Sequence, residues 1–244
     1  MTDASSHTRN ETHESGDSQT PAPDWAPWLA GVLLLAGLWG VGMVATRQSW
    51  NPGFAYLAIM IELFVINFLS VAIWNHVLIG RRIGVKSGTK GWDYAVMLLG
   101  FTPGVVGMYV AAWWQNDAAG LAPIDTLWWV ALLILGLGWA IANWSMIVNP
   151  FFEKTVRIQS EHGHQVVDSG PYRYVRHPGY VGFVAWMLTT PILLGSSWAW
   201  APALYAVATL VLRTHLEDRT LRNELAGYTE YSHRVQYRLI PGVW

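Results

Sequence analysis

Two polar segments in the last third of the chain hold the residues best suited to chemistry. One is residues 168–182, DSGPYRYVRHPGYVG, and the other is residues 213–244, RTHLEDRTLRNELAGYTEYSHRVQYRLIPGVW. They supply Arg173, Arg176, His177, Tyr180, Arg213, His215, Glu217, Asp218, Arg234 and Arg238 at the two ends of one apolar stretch. Arg213, Glu217 and Leu221 lie four apart and share one helix face. Arg213 stands where the apolar run stops, and a guanidinium there can grip a carboxylate through two hydrogen bonds. Glu217, one turn on, can pair with Arg213 or bind a cationic or hydroxylated ligand. Pro171 and Pro178 stiffen the first segment, and Gly170, Gly179 and Gly182 permit close backbone approach. His177 is held between Arg176 and Pro178 at the start of a helix, whose N-terminus favours anions. Each residue also has a plainer reading. Basic residues beside a membrane helix commonly only anchor it on anionic lipid, and a Glu–Arg pair at helical spacing is commonly a surface pair of small worth. The site reading rests on the coincidence of both segments flanking one apolar stretch.

The elements that must position them are membrane helices. Of the 244 residues, 52% are hydrophobic and 13% charged, against roughly 25% charged in soluble domains. Crossing a bilayer core takes roughly 20 helical residues. Apolar runs at 28–46, 54–79, 93–114 and 126–148 meet that length. A fifth stretch, about 179–213, is broken by Gly195, Ser196 and Ser197, good turn residues that make it a tight helical hairpin. The expected fold is all-α: a multi-pass transmembrane bundle of five or six helices, the last two forming the hairpin, with a C-terminal cytoplasmic cofactor-binding segment. Residues 1–24 read as a disordered polar tail, 25–148 as a four-helix N-terminal transmembrane region, and 149–244 as the catalytic region. The 16 Trp and 10 Tyr suit lipid–water boundaries.

Basic residues set orientation. Arg81, Arg82, Lys86 and Lys90 crowd the loop 80–92, and Lys154, Arg157, Arg173 and Arg176 the interval 149–178, whereas the loop 115–125 has none. Both termini are therefore expected in the cytoplasm, with Arg47 the one basic residue on the wrong side. A net charge of −1 offers no field for nucleic acid. Zero cysteines exclude disulfides, thiolate metal sites and a cysteine nucleophile.

The stretch GPYRYVRHPGYVG (170–182), followed by RTHLEDRTL (213–221) and GYTEYSHRVQYRLIP (227–241), resembles the isoprenylcysteine carboxyl methyltransferases and their phospholipid N-methyltransferase relatives. NPFFEKTVRIQSEHGHQVV (149–167) looks like the prokaryotic members, which implies a prokaryotic cytoplasmic membrane. The resemblance implies S-adenosylmethionine as methyl donor in a cytoplasmic pocket closed by the C-terminal segment. It also implies a lipophilic acceptor, a small molecule or a lipid-anchored one, entering from the bilayer, with an isoprenylcysteine-like carboxylate as the type case. Arg176, His177, Pro178 and the helix start then cradle the donor's carboxylate. Tyr172, Tyr174 and Tyr180 pack its adenine or sulfonium, Glu217 takes its amino or ribose groups, and Tyr231 and Arg234 complete the pocket. Arg213 orients a carboxylate acceptor; for an amine acceptor, Glu217 or His215 takes the proton. Asp218 replaces the family's usual second Glu, and Gln236 falls where relatives often carry a basic residue.

Glu62 lies inside the second apolar run and is a candidate substrate contact by its depth, or a protonated carboxyl bonded to a neighbouring helix. Asn143 and Ser145 read as helix glue. His162 and His164 lack a third ligand nearby, so no metal is expected. Two other classes compete: an NADPH-dependent reductase of the sterol-reductase type, which shares the RHP phrase, and a non-catalytic membrane scaffold. The carboxylates Glu217 and Asp218 argue against the first. Against a transporter-like scaffold stand the polar groups, gathered at one face rather than at the midplane.

Overall fold

The computed structural model describes residues 25–47, 51–81, 87–119 and 124–244. The tail 1–24 and parts of the loops at 80–92 and 115–125, with Arg82 and Lys86, lie outside the described residues. Helix α1 runs Ala26–Arg47, α2 Pro52–Trp74, the short α3 His76–Arg81, and α4 Gly91–Ala95. A π-helical turn, Val96–Phe101, joins α4 to α5 (Thr102–Ala119), and α6 spans Thr126–Val148. Helices α7 (Pro178–Leu193) and α8 (Trp200–Glu224) form the expected hairpin, and α9 is Tyr228–Arg234. No strand occurs among the described residues.

Four segments are long and apolar enough to cross a membrane: Ala26–Ala45, Pro52–Trp74, Gly91–Asn116 and Thr126–Val148. The chain is an integral, multi-pass membrane protein. Its helix starts follow local chemistry. Asn51 caps α2 by accepting from the Gly53 amide, with Pro52 in the first turn, and Asp125 caps α6 by accepting from the Trp128 amide at 2.9 Å. The second apolar run, 54–79, is not one helix. Asn75 breaks it, turning its side-chain amide onto the Met146 carbonyl (2.7 Å) and the Asn149 carbonyl (3.2 Å) at the end of α6. That bond fixes the joint between α2 and α3 beside the end of α6.

The core forms around α6, whose buried residues include Trp128, Leu135 and Trp139. Its partner α7 approaches closely because glycines meet. A Cβ on Gly182 would collide with the Gly138 carbonyl. Helix α5 backs onto α8 in the same way, Gly104 lying against the Ala206 backbone. Asn67 donates to Asn143 at 3.0 Å and ties α2 to α6, whereas Ser145 bonds back to its own helix at Ile141. The Tyr56 hydroxyl joins Thr190, the Trp186 indole and Tyr109, linking α2, α7 and α5. Such bonds replace the water that a membrane interior lacks.

The hairpin turn is anchored at its tip. Gly195 adopts φ +64°, the left-handed region that a Cβ disfavours. Gln115 at the end of α5 accepts from the Ser196 hydroxyl and the Trp198 amide, and Asn116 donates to the Leu194 carbonyl. With the tip fixed, the start of α7 and the far end of α8 must lie together at the opposite end of the bundle.

Candidate active site

That end holds an open cleft with a cavity volume of about 100 Å³. The start of α7 contributes Arg176, His177, Gly179 and Tyr180 to its lining; α8 contributes Glu217 and Leu221; α9 contributes Tyr228 and Tyr231. The segment 149–167 forms the remaining wall. A two-bond pairing holds the C-terminal strap against the RHP phrase: the Arg176 amide donates to the Tyr237 carbonyl at 2.9 Å, and the His177 amide to the Arg238 carbonyl at 3.0 Å.

Asp218 is the hub. Its carboxylate accepts from Arg176 Nε (2.7 Å) and Nη2 (3.2 Å), from Arg238 Nε (2.9 Å) and from the Tyr228 hydroxyl (3.0 Å), with Arg222 Nε 3.2 Å away. Burial alone would raise this carboxyl's pKa. Nearby His177 and the guanidiniums of Arg176 and Arg238 outweigh burial and hold it well below the usual carboxylate range. The remaining Arg176 nitrogen, Nη1, donates to the Val235 and Gln236 carbonyls. Arg176 thus reaches the wall of the cleft with its guanidinium already engaged. His177 Nε2 lies 3.5 Å from Asp218 Oδ1, within ion-pairing reach of the hub, and this buried nitrogen makes no hydrogen bond among the described residues.

A second relay runs beside the first. Arg213 Nη1 donates to the Tyr180 hydroxyl at 2.6 Å, and that hydroxyl donates to Glu217 Oε2. The Tyr180 ring stacks on His177, interplanar angle 4° and centroids 5.7 Å apart. Arg213 itself sits behind Tyr180 rather than in the lining. Its Nε and Nη2 hold Asp93 at 2.7 and 3.3 Å, and Nη2 also donates to the Lys154 carbonyl. Glu217 makes no direct ion pair among the described residues; it lines the cleft with Oε2 on the Tyr180 hydroxyl, through which it is linked to Arg213.

Other positions read from the sequence fall on both sides of this boundary. Tyr172 lines the cleft and its hydroxyl accepts from Asn149 at 2.9 Å; burial raises its pKa and keeps it neutral. Tyr231 lines it too, with its hydroxyl on the Tyr172 carbonyl. Pro178 is buried at the first turn of α7. Tyr174 is 66% exposed and points away. Arg234 pairs with Asp168 at 2.8 Å on the surface. Glu62 is remote from the cleft: it fills the notch left by Gly37 on α1, and its Oε2 has no partner among the described residues.

Sequence reasoning missed the fourth wall. Glu153 and Arg157 form a buried bidentate pair (2.7 and 2.9 Å), and Arg157 also reaches Glu161. Hydrogen bonding to Glu153 above all keeps that guanidinium charged despite burial. Gln159 is buried, with its amide nitrogen on the Phe151 carbonyl at 2.8 Å and its Oε1 unpartnered among the described residues. The i,i+4 spacing of Glu153, Arg157 and Glu161 is visible in the sequence, but its inward direction is not.

Residues 129–223 match the model of the isoprenylcysteine carboxyl methyltransferase family. This part of the chain is similar to that family. Similar proteins include the protein-S-isoprenylcysteine O-methyltransferase of Schizosaccharomyces pombe, 30% identical over 126 residues, which are 51% of this chain and 48% of that protein. A probable protein-S-isoprenylcysteine O-methyltransferase of Oryza sativa subsp. indica is 30% identical over 115 residues, 44% of this chain and 58% of that one. The chain thus spans about half the length of these curated relatives. The structure of a eukaryotic intramembrane Ras methyltransferase, an isoprenylcysteine carboxyl methyltransferase, superposes with a TM-score of 0.57 at 21% identity, covering 88% of this chain and 74% of that one. At that identity the likeness establishes the fold: the membrane architecture of the methyltransferase extends beyond the matched region into the N-terminal helices.

Proposed function

We propose that the protein is an integral membrane methyltransferase that uses S-adenosylmethionine to methylate the polar end of a lipophilic acceptor entering from the bilayer, of the isoprenylcysteine carboxylate type named in its relatives. The observation that carries this is Glu217, a carboxylate with no direct ion pair among the described residues, lining a cleft built from residues 176–180 and the C-terminal segment. Such a wall suits a cationic ligand. Two further features fit the same ligand: the buried Gln159 Oε1, which makes no hydrogen bond among the described residues, offers a polar contact, and Tyr172, Tyr180 and Tyr231 offer aromatic surface to a cation.

When bound, the donor supplies a sulfonium-activated methyl group. Everything else falls to this chain. Glu217 binds the donor's amino or ribose groups, and His177 with the start of α7 receives its carboxylate. The 149–167 wall and the strap shut out water. Methyl transfer is an in-line displacement, so holding acceptor and donor aligned is the main source of rate. A carboxylate acceptor needs no base, and Arg213 polarises the site through Tyr180. The basic intervals at 149–178 and after Leu212 support a cytoplasmic side for this end of the bundle and for both termini.

The test is transfer itself. Protein in nanodiscs receives donor labelled in the methyl group together with N-acetyl-S-farnesylcysteine, and base-labile label is counted in the organic extract. Saturable, protein-dependent methyl ester supports the reading; label confined to the aqueous phase contradicts it.

A further inference from the structure

We propose that Asp93, which lies outside the family-matched region, is a positioning residue of this site: it holds Arg213 away from Glu217 and so keeps Glu217 open to the donor. The inference rests on the methyltransferase reading. Asp93 is on α4, at the start of the third span, and is completely buried. Its two oxygens take Arg213 Nε at 2.7 Å and Nη2 at 3.3 Å, and Oδ2 also accepts from the Val156 amide at 2.9 Å. The Lys90 amide donates to the Val156 carbonyl at 3.0 Å. The turn before α4 therefore clasps the 149–167 wall at Val156 while Asp93 fixes the guanidinium behind Tyr180.

Arg213 and Glu217 are one turn apart on α8, the spacing at which such residues pair directly. They do not pair here, because Arg213 has a nearer anion. Its Nη1 instead donates to the Tyr180 hydroxyl, which fixes the direction in which that hydroxyl donates to Glu217. Neutralising Asp93 leaves a buried, unpaired guanidinium, which is costly. The anion within its reach is Glu217. Re-pairing turns Glu217 from the cleft and takes Tyr180 with it.

A merely structural Asp93 predicts that Asp93→Asn lowers stability while the folded protein keeps wild-type donor affinity. A positioning Asp93 predicts rescue, because removing the guanidinium frees Glu217 again. Donor binding is measured by calorimetry on full-length protein in nanodiscs, with S-adenosylmethionine as the probe. Asp93→Asn is expected to weaken binding about tenfold, and Asp93→Asn combined with Arg213→Gln to return to within about threefold of wild type. Should the single variant not fold, the double variant carries the test by the same threefold criterion. Wild-type affinity in Asp93→Asn, or a double variant as weak as the single one, overturns the inference alone. Absence of donor binding to the wild type overturns the methyltransferase reading, and this inference with it.

Discussion

Replacing Asp218 by Asn keeps the side chain's shape and removes its charge. The carboxylate is 1% exposed and holds Arg176, Arg238, Arg222 and the Tyr228 hydroxyl. The carboxamide keeps one acceptor oxygen but turns an NH2 toward guanidinium groups that have only donors. Arg176 is itself 1% exposed, so its charge stays buried without its counter-ion. Breaking one partner of a buried pair costs roughly 3–5 kcal/mol. The Arg234–Asp168 pair is a built-in control, with side chains 67% and 55% exposed; exposed pairs are worth about 0–1 kcal/mol. Unfolding by SDS in mixed micelles should therefore separate Asp218→Asn from Asp168→Asn by several kcal/mol. The pH dependence has a fixed sign. The folded pKa of Asp218 is depressed, so its stabilisation is complete above the unfolded value of about 4. It is lost as pH falls from there through the folded value. Below about pH 4 the wild type should lose stability that Asp218→Asn has already lost. Equal stability losses in Asp218→Asn and Asp168→Asn would refute the hub.

Two further outcomes are expected. His177→Ala should abolish donor binding in calorimetry while the protein still inserts, because the ring lines the cleft and stacks on Tyr180 beside Glu217. Gly182→Ala should destabilise the bundle by about 1–3 kcal/mol in the same SDS titration, since the new methyl group meets the Gly138 carbonyl and must push α7 from α6.

The spans were legible because length and apolarity alone decide them, and the hairpin because Gly195–Ser197 interrupt a single run. The break at Asn75 was not, since an Asn among apolar residues shows its effect only when the Met146 carbonyl is within reach. At the site, Tyr172, Tyr180, Glu217 and Tyr231 fall on one cleft, because the hairpin forces their segments together. Tyr174 and Arg234, drawn from the same phrases, face outward: neighbours on a tight turn or a short helix project in different directions, and no periodicity marks which. Arg213 illustrates a different limit. Its partner Asp93 lies 120 positions away as a single acid in an unremarkable turn, so the sequence shows the cation and hides what compensates it. Asp218 reads in sequence as a conservative replacement for Glu; only the four groups around it reveal a hub.

The central claim is that this cleft binds S-adenosylmethionine, and calorimetry on the purified protein, with NADPH as the control ligand, tests it most directly. The account predicts saturable binding of S-adenosylmethionine that disappears in Glu217→Ala, and no binding of NADPH. Binding of NADPH instead, or S-adenosylmethionine binding unchanged in Glu217→Ala, would contradict it.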